Sequence, residues 1–262
     1  MTEKKELLTT VIIPTFNRLT YVQQCLKSIK QTILCENLNY EVIVIDAASN
    51  DGTVDFLKNF DEPWLRWISE QDSGAAEAIN KGIAMAKGEL IRYFSDDDQM
   101  VPGDNKRVVQ YFQDHPEIDV VSGVARYHIL DSDGKTTPIG IVQLVGDITI
   151  EKIKQISGCI THETTTFRKL IFSELGDYDT AVRHSFDVEL WFRILTARKK
   201  FIGFDYILAD RFVQPTSNSQ INDEQIFTEF VYIFKKYHAW ILLIKYIWRV
   251  KILKKLRMLM SF

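Results

Sequence analysis

Paired cysteines, glycine-rich loops and long apolar runs are all scarce in this chain, and each absence narrows what it can be. Three cysteines stand among 262 residues, Cys25, Cys35 and Cys159, with no CxxC. An odd, scattered set suits a reducing compartment and argues against a disulfide scaffold or a thiolate zinc site. No stretch reaches the ~18 uninterrupted apolar residues of a membrane span. The opening Met1–Leu8 is charged and the apolar run after it is short, so no signal peptide is read and a cytoplasmic location is expected. No GxGxxG follows a strand, no P-loop GxxxxGK-S/T occurs, and His162-Glu163 lacks the second histidine of HExxH. The GxSxG elbow of a serine hydrolase is missing too.

What is present suits a globular protein. Hydrophobic residues make up 46% and charged ones 26%, enough for one sizeable core. The length fits one large domain or one domain with an appendage. The net charge of −3 is unevenly placed: residues 230–262 hold eight Lys/Arg and no Asp/Glu, which leaves −11 on residues 1–229. An acidic body argues against a nucleic-acid partner.

The first hundred residues alternate strand and helix. Thr9–Pro14 reads as a buried strand stopped by proline. Tyr21, Cys25, Leu26, Ile29 and Ile33 recur at helical spacing over Thr20–Ile33. Tyr40–Asp46 is a strand ending in a carboxylate, Asp51-Gly52 a turn, and a helix starts near Thr53. Trp64–Ser69 is a third strand. Asp72-Ser73-Gly74 leads into a helix over Ala75–Lys87, with Gly88 as its C-terminal cap. Leu90–Phe94 is a fourth buried strand. This alternation predicts an α/β fold, a doubly wound, mostly parallel central sheet flanked by helices. Further on, Gly103–Asp114 reads as helix, Ile118–Leu130 and Ile139–Val145 as strands around a turn at Asp131–Lys135, and Thr149–Ile156 as a short helix. Cys159–Phe167 is polar and extended. Phe186–Arg198 is a helix with acids first and a base last, matching the macrodipole. Residues 1–229 read as one domain, with a nucleotide-binding part near 9–115 and an acceptor-side part near 116–229, followed by a helical C-terminal tail, 230–262.

The chemistry concentrates at Phe94-Ser95-Asp96-Asp97-Asp98. Adjacent carboxylates repel, and a divalent cation relieves them. Mg²⁺-like ions take one or two carboxylates and keep other positions for water and phosphates. In extended backbone alternate side chains share a face, so Asp96 and Asp98 are expected to point the same way, as an Asp-x-Asp pair for a metal and a diphosphate. Taken alone, the triplet reads as a solvated acidic turn by roughly two to one. Pro14-Thr15, Asp46 and Asp96–Asp98 all fall at strand carboxyl ends, where open α/β sheets bind ligands.

Six stretches together resemble the family 2 glycosyltransferases of the GT-A fold: VIIPTFNR (11–18), VIVIDAASNDGT (42–53), EQDSGAAEAINKGIAMAKGE (70–89), FSDDDQMVPG (94–103), HETTTFRK (162–169) and FDVELWFR (186–193). The second stretch has Ala47-Ala48 where the family usually has glycine. The resemblance implies an inverting transfer from a nucleotide-diphosphate sugar, a UDP-sugar favoured, to an acceptor hydroxyl, with Mn²⁺ or Mg²⁺ as cofactor. A lipid-linked glycan in cell-surface polysaccharide synthesis is expected as acceptor. Pro14, Thr15, Phe16 and Asn17 would form the lip of the base site. Asp46, Asp72, Gly74 and Lys81 would face the nucleotide. Asp96 and Asp97 would hold ribose or metal water, and Asp98, with Asp96, the metal. Asp187 would be the general base, with Glu189 as fallback, and His162 would touch acceptor or diphosphate.

Each of these has a plainer reading beside it: a strand-to-helix turn for 14–17, an N-cap for Asp46, a solvated Lys81, a first-turn acid for Asp187, and a core histidine for His162. Two other functions stay open, a sugar-phosphate nucleotidyltransferase and a non-catalytic nucleotide-sugar-binding assembly subunit. The tail carries an aromatic and isoleucine stripe, Trp240-Ile241-Ile244-Trp248-Ile252, among Lys and Arg. It reads either as a helix lying peripherally on an anionic membrane surface or as one packed on its own domain or in a homodimer.

Overall fold

The computed structural model describes residues 7–130, 136–139, 144–153, 160–213, 223–241 and 243–247. A single sheet organises them. Its first strands are β1 (Thr9–Thr15), β2 (Tyr40–Asp46), β3 (Leu65–Ser69) and β4 (Leu90–Tyr93). They pair in parallel in the order β3-β2-β1-β4. Alternation along these strands serves both faces. Val11, Ile13, Val42 and Val44 join one core, while Ile12, Ile43 and Ile45 join the other. Near-continuous apolar strands are what a sheet covered on both sides requires.

Helices α1 (Leu19–Glu36), α2 (Thr53–Asn59), α3 (Ala75–Met85) and α4 (Asn105–Asp114) follow these strands. Val22, Cys25, Leu26, Ile29 and Ile33 are the buried stripe of α1. Its N-terminal Leu19 amide donates to Asp51 Oδ2 at 2.8 Å, so the loop after β2 satisfies a helix end far away in sequence. Gly88 is not the cap of α3: that helix ends in extended backbone at Ala86. Gly88 instead lets β1 pass close by, since a Cβ there would lie 2.6 Å from Thr10 Oγ1 and 2.7 Å from the Leu8 carbonyl.

The acidic triplet is not extended. Strand β4 stops at Tyr93, and the Asp98 amide donates back to the Ser95 carbonyl at 3.3 Å, closing a turn. Asp96 and Asp98 are therefore aimed at different neighbours, which the alternation rule for strands did not anticipate.

The second half adds β5 (Gln99–Met100), β6 (Val120–Leu130), β7 (Thr136–Ile139), β8 (Gly146–Asp147), α5 (Ile150–Ile153), β9 (Thr165–Arg168), α6 (Leu170–Leu175), α7 (Phe186–Thr196), β10 (Phe201–Val213) and α8 (Asp223–Lys236). The sheet continues as β4-β9-β6-β10-β5, with β9 antiparallel between β4 and β6 and with β10 parallel to β6. It runs unbroken through both halves. Of the strand expected at Ile139–Val145, residues 140–143 lie outside the described residues; Ile139 closes β7, Thr136–Ile139, which pairs back onto β6. The expected turn 131–135, residues 154–156 of the expected helix, and Cys159 lie outside the described residues. Of the stretch expected to be extended, 159–167, Thr165–Phe167 do lie in β9, while His162–Thr164 form a 3-10 turn that leads into it.

The C-terminal helix starts before the expected tail. Position 229/230 falls inside α8, whose buried Glu229 carboxylate accepts the amides of Arg183, His184 and Ser185 at 2.9–3.0 Å. Those amides precede α7, so α8 fixes the start of that helix. Residues 248–262 of the tail lie outside the described residues.

Candidate active site

The strand order reverses between β1 and β4, so the chain leaves the sheet in opposite directions on the two sides of that boundary. A crevice outside the strand carboxyl ends results. Thr15, Asp46 and the Asp96–Asp98 turn all stand along it.

On the β2 side Asp46 is fully buried, and donors wrap it. Ser49 Oγ reaches Oδ1 at 2.5 Å, and Ser69 Oγ and the Ser49 amide reach Oδ2 at 2.6 and 3.0 Å. The loop that carries Ser49 turns through Ala48 at φ 60°, where a left-handed alanine costs about 1 kcal/mol. This is the position at which the family pattern usually has glycine. Asn17, also left-handed at φ 52°, donates its amide to Ser49 Oγ and takes the Asn50 amide on Oδ1. Phe16 beside it is 55% exposed, an aromatic face left open at the lip. Pro14 is half-buried in β1.

Across from them, Asp72 Oδ1 accepts the Gly74 amide at 2.9 Å. Burial raises the Asp72 carboxyl, Gly74 and Lys81 oppose this, and Glu77 and Asp46 add to it. Gly74 starts α3 at φ 134°, a conformation open to glycine, and a Cβ there would meet nothing within 4 Å. Lys81 is committed locally, to Glu70 at 2.9 Å, Glu77 at 3.2 Å and the Gln71 carbonyl at 2.9 Å. It braces the segment that presents Asp72.

The β4 turn divides its three acids. Asp96 takes Thr15 Oγ1 on Oδ2 at 2.7 Å and faces Arg18 Nε at 3.4 Å. Burial pushes its carboxyl up to about 6, while Arg18 and Thr15 hold it back. Asp97 takes Arg18 Nη2 on Oδ2 and Ser95 Oγ on Oδ1, both at 2.6 Å. Asp98 is 2% exposed; its Oδ1 accepts the Phe212 amide of β10 at 3.2 Å, and its Oδ2 is buried with no hydrogen-bond partner. Burial, then the charges of Glu163 and Asp97, lift it well above the usual carboxylate range against the pull of Arg211.

An unmatched buried carboxylate oxygen is costly unless a proton or a cation meets it. Among the described residues no three His, Cys, Asp or Glu side chains converge as a metal cage. One carboxylate oxygen beside the crevice fits a hard divalent ion that keeps its other positions for water and phosphate. The residues present thus suit Mn²⁺ or Mg²⁺ at Asp98.

Facing Asp98 is a group of side chains to which the motifs assigned no role. Glu163, 5% exposed, pairs with Arg211 Nη1 at 3.5 Å. Glu163 and Asp98 both raise the Arg211 guanidinium. Arg92, fully buried in β4, donates to the Glu163 carbonyl at 2.8 Å, to Asn105 Oδ1 at 2.8 Å and to the Leu208 carbonyl at 3.1 Å. It ties β4 to the 3-10 turn, to α4 and to β10, and so fixes Glu163 relative to Asp98. Arg18, Arg92 and Glu163 lie inside stretches whose pattern was legible, but their partners are 13 to 116 residues away. Arg211 lies on β10, beyond those stretches.

Asp187 belongs to this group. It is half-buried in the first turn of α7, with Oδ1 on the Val188 amide at 2.8 Å. Burial pushes it up to about 6, Glu163 adding and Arg211 subtracting. Glu189 differs: it is fully buried and takes Arg193 Nη2 at 3.0 Å, Lys236 Nζ at 2.8 Å and Tyr237 Oη at 2.6 Å. Its carboxylate fastens the end of α8 to α7.

His162 stacks on Tyr93 at 4.2 Å between ring centres and meets Tyr178 Oη through Nε2 at 2.8 Å. Burial, then Arg211, depress its ring to about 3. The folded protein thus keeps it neutral where the unfolded chain, near 6.5, is already charged. Stability from this ring is fully present above about 6.5 and drains as pH falls, by up to about 1.4 kcal/mol per pH unit. Asp96 and Asp187, with raised values, run the other way between about 4 and 6. Subtracting the profile of His162→Phe from that of the native chain isolates the ring. Urea unfolding from pH 8 to 4 is expected to show the variant losing less stability below pH 6.5, and parallel profiles would contradict a buried neutral histidine.

Over residues 10–176 the sequence matches the family model described as Glycosyl transferase family 2. It is 23% identical over 228 residues to an uncharacterized glycosyltransferase of Rickettsia typhi, covering 82% of this chain and 67% of that protein. It is 25% identical over 197 residues to the minor teichoic acid biosynthesis protein GgaB of Bacillus subtilis, covering 73% of this chain and 21% of that one. The chain thus spans two thirds or less of the length of these relatives. The fold superimposes on Staphylococcus aureus TarS 1-349 in complex with UDP-GlcNAc with a TM-score of 0.69, at 15% identity over 91% of this chain and 71% of that one. For a mannosyltransferase from Pyrobaculum calidifontis in complex with GDP-Man and Mn²⁺ the TM-score is 0.65, at 20% identity, over 87% of this chain and 63% of that one.

Proposed function

The chain belongs to glycosyl transferase family 2, and on that premise we propose that it transfers a sugar, with inversion, from a nucleotide-diphosphate donor to an acceptor hydroxyl. The observation that carries this reading is the gathering of Asp98 and Asp187 around the Glu163–Arg211 pair at the sheet's switch point. One acid stands on the nucleotide side of the crevice, and the other opens the helix across from it.

In this reading Phe16, Asn17, Asp46, Asp72 and Gly74 seat the base and ribose. Asp46 and Asn17 act chiefly by shaping the loop, since their own oxygens already hold Ser49, Ser69 and Asn50. Asp96 and Asp97 keep Arg18 and Thr15 in place along the diphosphate path. Asp98, with Asp96 through water, would hold Mn²⁺ or Mg²⁺, which supplies a Lewis acid to the leaving diphosphate. Asp187 accepts the acceptor's hydroxyl proton on its carboxylate as the new bond to the anomeric carbon forms and the bond from that carbon to the diphosphate oxygen breaks. One base and one direct displacement invert the sugar. A UDP-sugar is favoured as donor, in keeping with the fold likeness to a UDP-GlcNAc complex. A lipid-linked glycan is favoured as acceptor, in keeping with a relative named for teichoic acid biosynthesis.

Turnover of a panel of UDP-, GDP- and dTDP-sugars in Mn²⁺ tests this. Release of nucleoside diphosphate is expected with one of them. Pyrophosphate release in the presence of a sugar phosphate and a nucleoside triphosphate would assign a nucleotidyltransferase instead. Tight donor binding with no turnover on any acceptor would assign a binding subunit.

A further inference from the structure

We propose that the outer face of the helical stretch after α8, formed by Trp240, Ile241 and Ile244, docks on an anionic lipid surface. The chain turns sharply at His238, φ 52°, and is helical again at 240–241 and 243–247. That stretch is apolar on two sides. Its inner side holds Ala239 and Leu243, both buried, and Tyr246, whose ring packs on Phe227, Phe230 and Phe234 at 5.0–6.0 Å between centres. This inner side completes the core, so folding is satisfied without the outer side.

The outer side leaves Trp240 52%, Ile241 71% and Ile244 62% exposed, with Lys245 exposed next to them. Adjacent large apolar groups in water are a cost unless something covers them. Charge selects the cover. The sequence from 230 to 262 carries eight Lys/Arg and no acid, five of the eight after position 247. A second copy of this chain meeting the same face across a two-fold axis would set like charge against like. An anionic bilayer satisfies both properties at once, with apolar side chains at the acyl boundary and Lys/Arg among headgroups. Among the described residues no helix is long and apolar enough to cross a membrane, so the contact is one that lies on the surface.

Truncation at Glu229 is not a clean test, since it would also remove buried Ile233, Phe234 and Leu243 and the Lys236 and Tyr237 contacts to Glu189. Point changes on the exposed face are. The full chain is sedimented with vesicles of phosphatidylcholine alone or with one third phosphatidylglycerol, at low and high salt. Binding is expected only to the phosphatidylglycerol vesicles and is expected to fall as salt screens the headgroups. Trp240→Ser with Ile241→Ser and Ile244→Ser is expected to weaken it at least tenfold, since each apolar side chain buried is worth roughly that factor. Ile241→Ser alone, with a thermal melt matching the native chain, repeats the test where folding is not in question. No binding to phosphatidylglycerol vesicles at low salt, or equal binding to both lipids, overturns the proposal. So does a native dimer in sedimentation velocity that the triple change dissociates. The readout is binding, so it stands or falls apart from the glycosyl-transfer reading.

Discussion

Asp98→Asn is expected to cut turnover on the order of 10³-fold or more while leaving the fold intact. A Lewis acid on a developing leaving-group charge is worth several kcal/mol, and each 1.36 kcal/mol is about tenfold in rate. Asparagine has the shape of aspartate but offers a cation no charge. The nucleotide's Mn²⁺-dependent thermal stabilisation is expected to vanish with it, because ligand binding to the native state is what raises the melting temperature. Metal-free stability is expected to stay level or rise. Asp98 Oδ2 is buried without a partner, and its carboxyl is lifted well above the usual range, so the folded chain bears the cost of that charge at neutral pH. The amide removes the cost and keeps an acceptor for the Phe212 amide. Full activity in this variant, or in excess chelator, would falsify the metal-dependent mechanism.

The sequence carried the first half of the sheet almost to the residue, because strands buried on both faces are apolar without interruption. Tyr40–Asp46 and Leu65–Ser69 come within a residue of where the apolar runs place them. Local signals failed where the chain is held by distant partners. Gly88 has the look of a helix cap, but its hydrogen goes to Thr10 across the sheet. Alternation carried on past β4 would put Asp96 and Asp98 on one face, but the turn that separates them is closed by a backbone bond that leaves no mark in residue type. Strand β10 is broken in pattern by Asp205 and Asp210, and its pairing with β6 shifts register between Gly203 and Ala209, so simple alternation does not describe it. With β10 went Arg211, and with Arg211 the reason for a buried Glu163. The tail was divided in a way no single stripe could show: Tyr246 turns inward, and Ile241 and Ile244 outward.

The two acids of the first turns of α7 make the sharpest contrast, and they are expected to separate in experiment. Asp187→Asn is expected to lower kcat on the order of 10²–10⁴-fold, the usual worth of a general base, with donor affinity nearly unchanged. The pH profile identifies the group. Burial and Glu163 push the Asp187 carboxyl up to about 6, and only its ionised form can take a proton. The rate of the native chain is therefore expected to rise as pH passes 6 and to level above it, and in Asp187→Asn that rise is expected to disappear. Glu189 is two residues on, but its carboxylate already meets Arg193, Lys236 and Tyr237. Removing one partner of a buried pair leaves the other charges uncompensated, at a cost of about 3–5 kcal/mol. Glu189→Gln is thus expected to show its loss in unfolding free energy, with kcat in the surviving folded fraction close to native. A collapse of donor affinity in Asp187→Asn would make that residue a binding group. A pure kcat loss in Glu189→Gln, with the melt unchanged, would move the base to Glu189 and would require its three donors to let go when the acceptor arrives.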